Sequence, residues 1–422
     1  MAIPESLIAL MREASAEILE AQRPIRVLRS LSWSADVERD FFSAGAQELP
    51  RPVYRLGPGV AEALERMRVL QGRLTGDNAI ERFLRETVSS LATAARMLLA
   101  VGSKDFYYHS VELYGRPASL SSDRATTNLG LARHFAEVVS GFAPPPGDAD
   151  CASISAEDAV PLLKARFEAF FAPREVKVAV VEGLAAAAAA SADGIKINRG
   201  AVFSPRDLQQ IEFHEGQVHT ATTFNGRAQP TLVFLGVPSP RTTSTQEGLA
   251  VLTEFLTRST SLPRVRRLSD RVLAIQSAEE GANFLDVYRF FLERGYDPPG
   301  AYDCARRVFR GGRLEGGAPF TKDVCYLDGL LRVTNFLRLA LTQGQGRLVR
   351  ALFAGKLAVE DVPLVDRLIE EQLAIGPAYT PAWASDLSYL TALMSYAAFL
   401  GQGDLSAEKR RFDDALARAQ DL

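Results

Sequence analysis

Ile211-Glu212-Phe213-His214-Glu215-Gly216-Gln217-Val218-His219 holds two of the chain's four histidines, with a glutamate directly after the first. The other two, His109 and His134, stand far upstream. Imidazole is the commonest protein ligand for metals, and a carboxylate beside a zinc site is what metal-assisted hydrolysis requires. The local sequence places this stretch on a helix. Ser204 is a good N-cap and Pro205 suits the first helical position, so a helix starting near Pro205 reaches His214 in its third turn. The spacing is awkward. Histidines at i and i+4 stand about 40° apart around an α-helix, whereas i and i+5 stand about 140° apart. Both rings meet one ion only if the helix widens into a π-bulge or loosens between Glu215 and His219. Gly216 lowers the resistance to such a distortion.

A catalytic zinc site usually has three protein ligands and an open position. Glu247, 28 residues past His219 and near the start of the next helix, is the best third ligand. The expected centre is therefore Zn2+ on His214, His219 and Glu247, with Glu215 as catalytic base. A metal-free reading competes: Ser244 caps the second helix and Glu247, three residues on, completes its capping box. A carboxylate has two oxygens, so both roles are compatible. Glu254 lies seven residues further on the same helix face. We read it as an ordinary buried or surface glutamate, with orientation of a ligand histidine as the alternative.

Outward from this centre, residues 1 to about 140 carry helical periodicity, with stripes at Ala61-Leu64-Met67-Leu70 and Phe83-Val88-Leu91-Ala95-Leu98. The aromatic run Phe106 to Tyr114 reads as a core helix stopping at Gly115, with a pocket lining as the alternative. Ala143-Pro144-Pro145-Pro146-Gly147 marks a surface loop or sub-domain boundary. A helix from Ser155 to about Phe171 precedes a change of period. Val176, Val178 and Val180 alternate as a strand, Ile195 to Asn198 form another after the turn at Asp193-Gly194, and Ala201-Val202-Phe203 extends the sheet. Asn225-Gly226 is a natural stop for the histidine helix. The remainder is helical by pattern, broken by the glycine-rich loop from Arg310 to Gly317. The expected fold is α+β and mostly α-helical. A zincin-like catalytic core, with a small sheet beside the histidine helix, is flanked by N- and C-terminal helices. The expected division is 1–150, 151–340 and 341–422.

Composition bounds the partners. The chain has 422 residues, 48 Lys+Arg against 51 Asp+Glu, and a net charge of −3, which gives no reason to invoke nucleic acid or an anionic membrane. No apolar run approaches the roughly 20 residues of a membrane span. Cys151, Cys304 and Cys325 are too few and too scattered for a disulfide framework or a thiolate site, so we expect reduced thiols in a cytoplasmic protein.

The pair HEGQVH (214–219) and QEGLA (246–250) resembles the QEGLA-motif family, the flavohaemoglobin expression-modulating QEGLA-motif proteins of bacteria. That family is related to the microtubule-associated tyrosine carboxypeptidases. Asn225-Gly226 with Gln229-Pro230, and Phe320 to Gly329, also look like the family. The resemblance implies zinc on His214, His219 and Glu247, Glu215 as base, and a carboxypeptidase-like metallopeptidase acting on a peptide or protein C-terminus. The alternatives are a non-catalytic regulatory protein retaining the zinc-binding fold, or a zinc hydrolase of a non-peptide substrate. A carboxypeptidase also needs a cation for the terminal carboxylate and a donor for the oxyanion. Arg306, Arg307 and Arg310 are the candidate substrate-binding cations. Lys322 and Tyr326 are candidate catalytic residues, raised by the resemblance.

Overall fold

The structure, a computed structural model, describes residues 3–121, 125–142, 151–184, 186–400 and 410–411. The proline-rich break at Ala143-Pro144-Pro145-Pro146-Gly147 lies outside the described residues. The architecture is mostly helical with two small sheets. Among the described residues no helix is long and apolar enough to cross a membrane.

The N-terminal region is a set of packed helices, as its periodicity predicts. Leu64, Met67 and Leu70 line the buried face of Val60–Arg73, with Ala63 rather than the exposed Ala61 completing the stripe. Ala79–Leu99 is capped by Asn78, whose side chain accepts from Glu81 N–H, and it buries the whole stripe from Phe83 to Leu98. The aromatic run is the core helix Lys104–Tyr114, ended by Gly115 at φ +74°. It has a second task. Ser110 Oγ accepts the Thr321 N–H at 2.9 Å and bonds Thr321 Oγ1 at 2.8 Å, which fixes the turn carrying Lys322.

Three strands form the sheet beside the histidines: β2 (Lys177–Val181), β3 (Ala188–Ala190) and β4 (Gly194–Asn198), in the order β2-β4-β3. β2 runs parallel to β4 and β3 antiparallel. β3 is an alanine run with no strand signal of its own, and pairing with β4 imposes its conformation. Val202–Phe203 does not extend this sheet. It forms β5, paired antiparallel with β1 (Ile154–Ser155) in a separate two-stranded ribbon. Phe167, Phe171, Ile195, Ile197, Leu208, Ile211 and Phe224 pack the sheet, the helix Ala156–Phe171 and the histidine helix into one apolar cluster.

The histidine helix begins as predicted at Pro205, with Ser204 and Asp207 forming a reciprocal cap. It runs as an α-helix to Ile211, widens into a π-helix over Glu212–Thr220, and resumes as α-helix over Ala221–Arg227. It ends at Arg227, one residue past the expected Asn225-Gly226 stop, without a left-handed glycine. The Asn225 side chain reaches across, donating to Phe353 O and Tyr379 O and accepting from the N–H groups of Ala378 and Tyr379.

The second helix is Pro240–Leu256, which starts four residues before Ser244. Ser239 and Thr242 make the cap, with Pro240 in the first turn where its missing N–H costs nothing. This corrects the capping-box reading of Ser244 and Glu247. Ser244 Oγ donates to Asp328 Oδ2 at 2.6 Å, and Glu247 is not needed at the helix terminus.

This helix crosses Cys325–Thr342 where two glycines meet. A methyl group on Gly248 would lie 1.9 Å from the carbonyl carbon of Gly329, and one on Gly329 would lie 1.9 Å from Ser244 O. Backbones touch here, so the helix bearing Glu247 is held tightly against the segment that follows Lys322. Gly248→Ala forces the two helices apart. Its expected cost is about 1–3 kcal/mol, seen as a lowered thermal midpoint. An unchanged melting curve would show that this crossing is not close-packed.

Candidate metal centre

An α-helix cannot aim residues 214 and 219 at one point, but the π segment does. Its i→i+5 repeat stacks residues five apart. The two imidazole centroids lie 4.8 Å apart with planes at 85°. Side chains hold the widened turns from several sides. Thr220 Oγ1 donates to Glu215 O at 2.8 Å, Thr222 Oγ1 to Val218 O at 2.7 Å, and Thr223 Oγ1 to His219 O at 2.7 Å. Gly216 contributes differently from the flexibility read in the sequence. A Cβ there would lie 2.4 Å from the Phe167 ring, so a glycine is needed for the sheet-side helix to approach.

One nitrogen from each histidine and one Glu247 oxygen lie within 4.8 Å of one another. Glu247 Oε2 stands 3.7 Å from His214 Nε2 and 3.6 Å from His219 Nε2. These separations are too long for hydrogen bonds. They are close to the roughly 3.4 Å between tetrahedral ligands whose metal bonds are each about 2.0–2.2 Å. The donor chemistry also fits. His214 Nδ1 lies 2.7 Å from Glu254 Oε1, and a carboxylate only accepts, so the proton sits on Nδ1. That leaves the Nε2 lone pair facing carboxylate oxygens, an arrangement that wants a cation. Two imidazoles and one carboxylate are a donor set that catalytic zinc takes.

The surrounding charges agree. Burial disfavours the charged His214 ring, yet the carboxylates of Glu247, Glu254 and Glu215 outweigh it and push its pKa up to about 10, so without an ion a proton takes the Nε2 position that a metal would occupy. Burial raises Glu247, but Lys322 and the two histidines hold it well below the usual carboxylate range. Lys322 Nζ donates to Glu247 Oε1 at 3.0 Å, on the carboxylate oxygen that does not face the histidines.

Glu215 projects from the same π segment toward the sheet. Its Oε2 accepts the Ala190 N–H of β3 at 2.7 Å, while Oε1 lies 3.9 Å from His214 Nε2. The edge strand thus fixes a carboxylate beside the histidine pair.

The other sequence candidates fall in two groups. Tyr326 stays close: its ring centroid is 5.5 Å from Lys322 Nζ, 5.8 Å from the Arg264 guanidinium and 5.9 Å from that of Arg271. Arg307 forks onto Asp323, the neighbour of Lys322, at 2.6 and 2.9 Å. Arg306 turns back to Asp303 on its own helix at 2.6 Å. Arg310 is buried, and its Nε has no hydrogen-bond partner among the described residues. Burial and the neighbouring Arg307 pull its pKa down to about 10. Cys304 and Cys325 are buried free thiols.

Arg264 and Lys356 are partners of the centre that carry no sequence signal, and Glu254 takes the orienting place that the sequence offered as its alternative reading. Glu254 is fully buried and joins His214 to Arg264, whose guanidinium meets both of its oxygens at 3.0 and 3.1 Å. Burial raises the Glu254 carboxyl, but Arg264 and His214 hold it down at about 2. Arg267, three residues along the helix from Arg264, is half-buried, and its Nε has no partner among the described residues. Burial and the flanking Arg264 and Arg271 lower its pKa to about 10. Lys356, more than 130 residues downstream, donates to the His219 carbonyl at 3.1 Å.

The family model for microtubule-associated tyrosine carboxypeptidases matches residues 39–402 of the chain. No curated protein matches it.

Proposed function

The chain belongs to the microtubule-associated tyrosine carboxypeptidase family, and from that premise we propose that it is a zinc-dependent carboxypeptidase with a zincin-like core. The observation that carries this reading is the convergence of His214, His219 and Glu247 beside the Glu215 carboxylate. His214, His219 and Glu247 would hold zinc, which would supply Lewis acidity toward the scissile carbonyl and a water. Glu215, fixed by the Ala190 N–H, takes a proton from water and delivers it to the leaving amine. Lys322 remains an ammonium because the Glu247 carboxylate outweighs its burial, and it balances the charge of that ligand. The Tyr326 hydroxyl is the proposed donor to the developing oxyanion. Arg310 is the proposed anchor for the substrate's terminal carboxylate, because Arg306 and Arg307 beside it are already held by aspartates. The family name points to a C-terminal tyrosine, and a peptide library with every C-terminal residue reads the preference of this chain.

The test is a matched pair of peptides, one with a free C-terminus and one amidated. The free peptide should lose its last residue in the presence of zinc, and the amidated one should remain intact. Equal cleavage of both at an internal bond would replace the carboxypeptidase with an endopeptidase.

A further inference from the structure

The π segment must be held in register with the helix that carries Glu247, and one side chain touches both. We propose that Lys356 is a positioning residue for the His214, His219 and Glu247 set, acting through the His219 peptide carbonyl and the Gln246 amide. The inference rests on the zinc reading above and assigns this residue a task within it.

Lys356 Nζ donates to His219 O at 3.1 Å and lies 3.2 Å from Gln246 Oε1 and 3.3 Å from Thr222 Oγ1. Thr222 Oγ1 also bonds Gln246 Oε1 at 2.8 Å. Gln246 immediately precedes Glu247. A single ammonium therefore ties the backbone of one ligand to the neighbour of another, across two helices. The lysine is only 6 % exposed and has no ion pair among the described residues. An ammonium buried without a counter-ion is costly, and a neutral side chain would fill the space more cheaply. Burial pulls the lysine's pKa down to about 8, an effect that the Glu247 and Glu215 carboxylates only partly offset.

The lysine is itself rigidly placed. Its N–H donates to Leu235 O at 2.8 Å. Asn225 Nδ2 holds Phe353 O and Gln229 Nε2 holds Ala354 O, each at 2.9 Å. A Cβ on Gly355 would lie 3.2 Å from Gly226 Cα. Asn225, Gly226 and Gln229 all belong to the histidine helix or its exit. The loop is therefore latched to the element whose geometry it sets, which also gives Asn225 and Gln229 a reason to be there.

Outer-shell partners of metal ligands typically alter metal affinity by about 10- to 100-fold. Titration of the metal-free chain with Co2+, followed by its visible absorption, reads both affinity and ligand geometry. Lys356→Met should bind Co2+ about 10- to 100-fold more weakly and with an altered absorption band. Its metal-free thermal midpoint should stay at or above wild type, which a merely structural lysine would not allow. Gln246→Met should shift affinity and band the same way by a smaller factor, and it decides the matter if Lys356→Met does not fold. Wild-type Co2+ affinity and band shape in the variants overturn the proposal while leaving the zinc reading intact. If the wild-type chain itself takes up no Co2+, the zinc reading fails and this inference falls with it.

Discussion

Glu215→Gln is expected to fold and retain metal but to lose about two to four orders of magnitude in kcat on a cleavable peptide. Glutamine keeps the shape, and its amide oxygen still accepts the Ala190 N–H that positions the native carboxylate. What it cannot do is hold a proton taken from water. Affinity for the substrate should barely move, because Lys322 and Arg264 have other carboxylates as their partners. Lys322 pairs with Glu247, and Arg264 pairs with Glu254. Steady-state kinetics on the free-C-terminus peptide separate the two parameters. A variant with undiminished kcat would remove Glu215 from the role of base.

Glu254→Gln should have the largest effect on stability. The native carboxylate lies between the Arg264 guanidinium and His214 Nδ1 with no exposed surface. Removing its charge leaves Arg264 buried without a counter-ion, a change that costs about 3–5 kcal/mol in comparable pairs. The pH dependence identifies the cause. The Glu254 carboxyl is held at about 2, below its ordinary 4.5, chiefly because Arg264 and His214 overcome burial. A depressed carboxyl stabilises the fold above its unfolded pKa, and that stabilisation is lost as pH falls toward the folded pKa. The deficit of Glu254→Gln relative to wild type should therefore be full above pH 4.5 and shrink as pH drops toward about 2. Thermal melts of both chains across that range measure it. A deficit constant with pH would mean that the charge of Glu254 contributes little.

The convergence of His214 and His219 was legible because the two lie close in sequence. His214, Glu215 and His219 lie within six residues, and the i,i+5 spacing itself demanded a widened helix, which is what the chain forms over Glu212–Thr220. Ser204 and Pro205 announced the helix start through capping chemistry that acts over three residues. Ser244 misled because the same chemistry had two places to act, and Ser239-Pro240 took it. The β3 strand was illegible because alanine has little strand preference and the partner supplies the conformation. Arg264 and Lys356 carry no sequence signal, and Glu254 reads there as an ordinary glutamate first and an orienter of a histidine only second, for a different reason. Their significance lies in contacts to residues 40 or more positions away, at His214 and His219, or in a pairing that only the folded helices create. Asn225 and Gln229 stood out in the sequence, but their role as latches on residues 353–379 is a tertiary fact.

The central claim is that His214, His219 and Glu247 hold one zinc ion. Elemental analysis of the purified chain, after exchange against a weak chelator, tests it most directly when run beside His219→Ala. The account predicts one zinc per wild-type chain and none in the variant, with helical content equal in both. Wild-type chain free of zinc after growth in zinc-replete medium, or a variant that keeps the full complement, would contradict it.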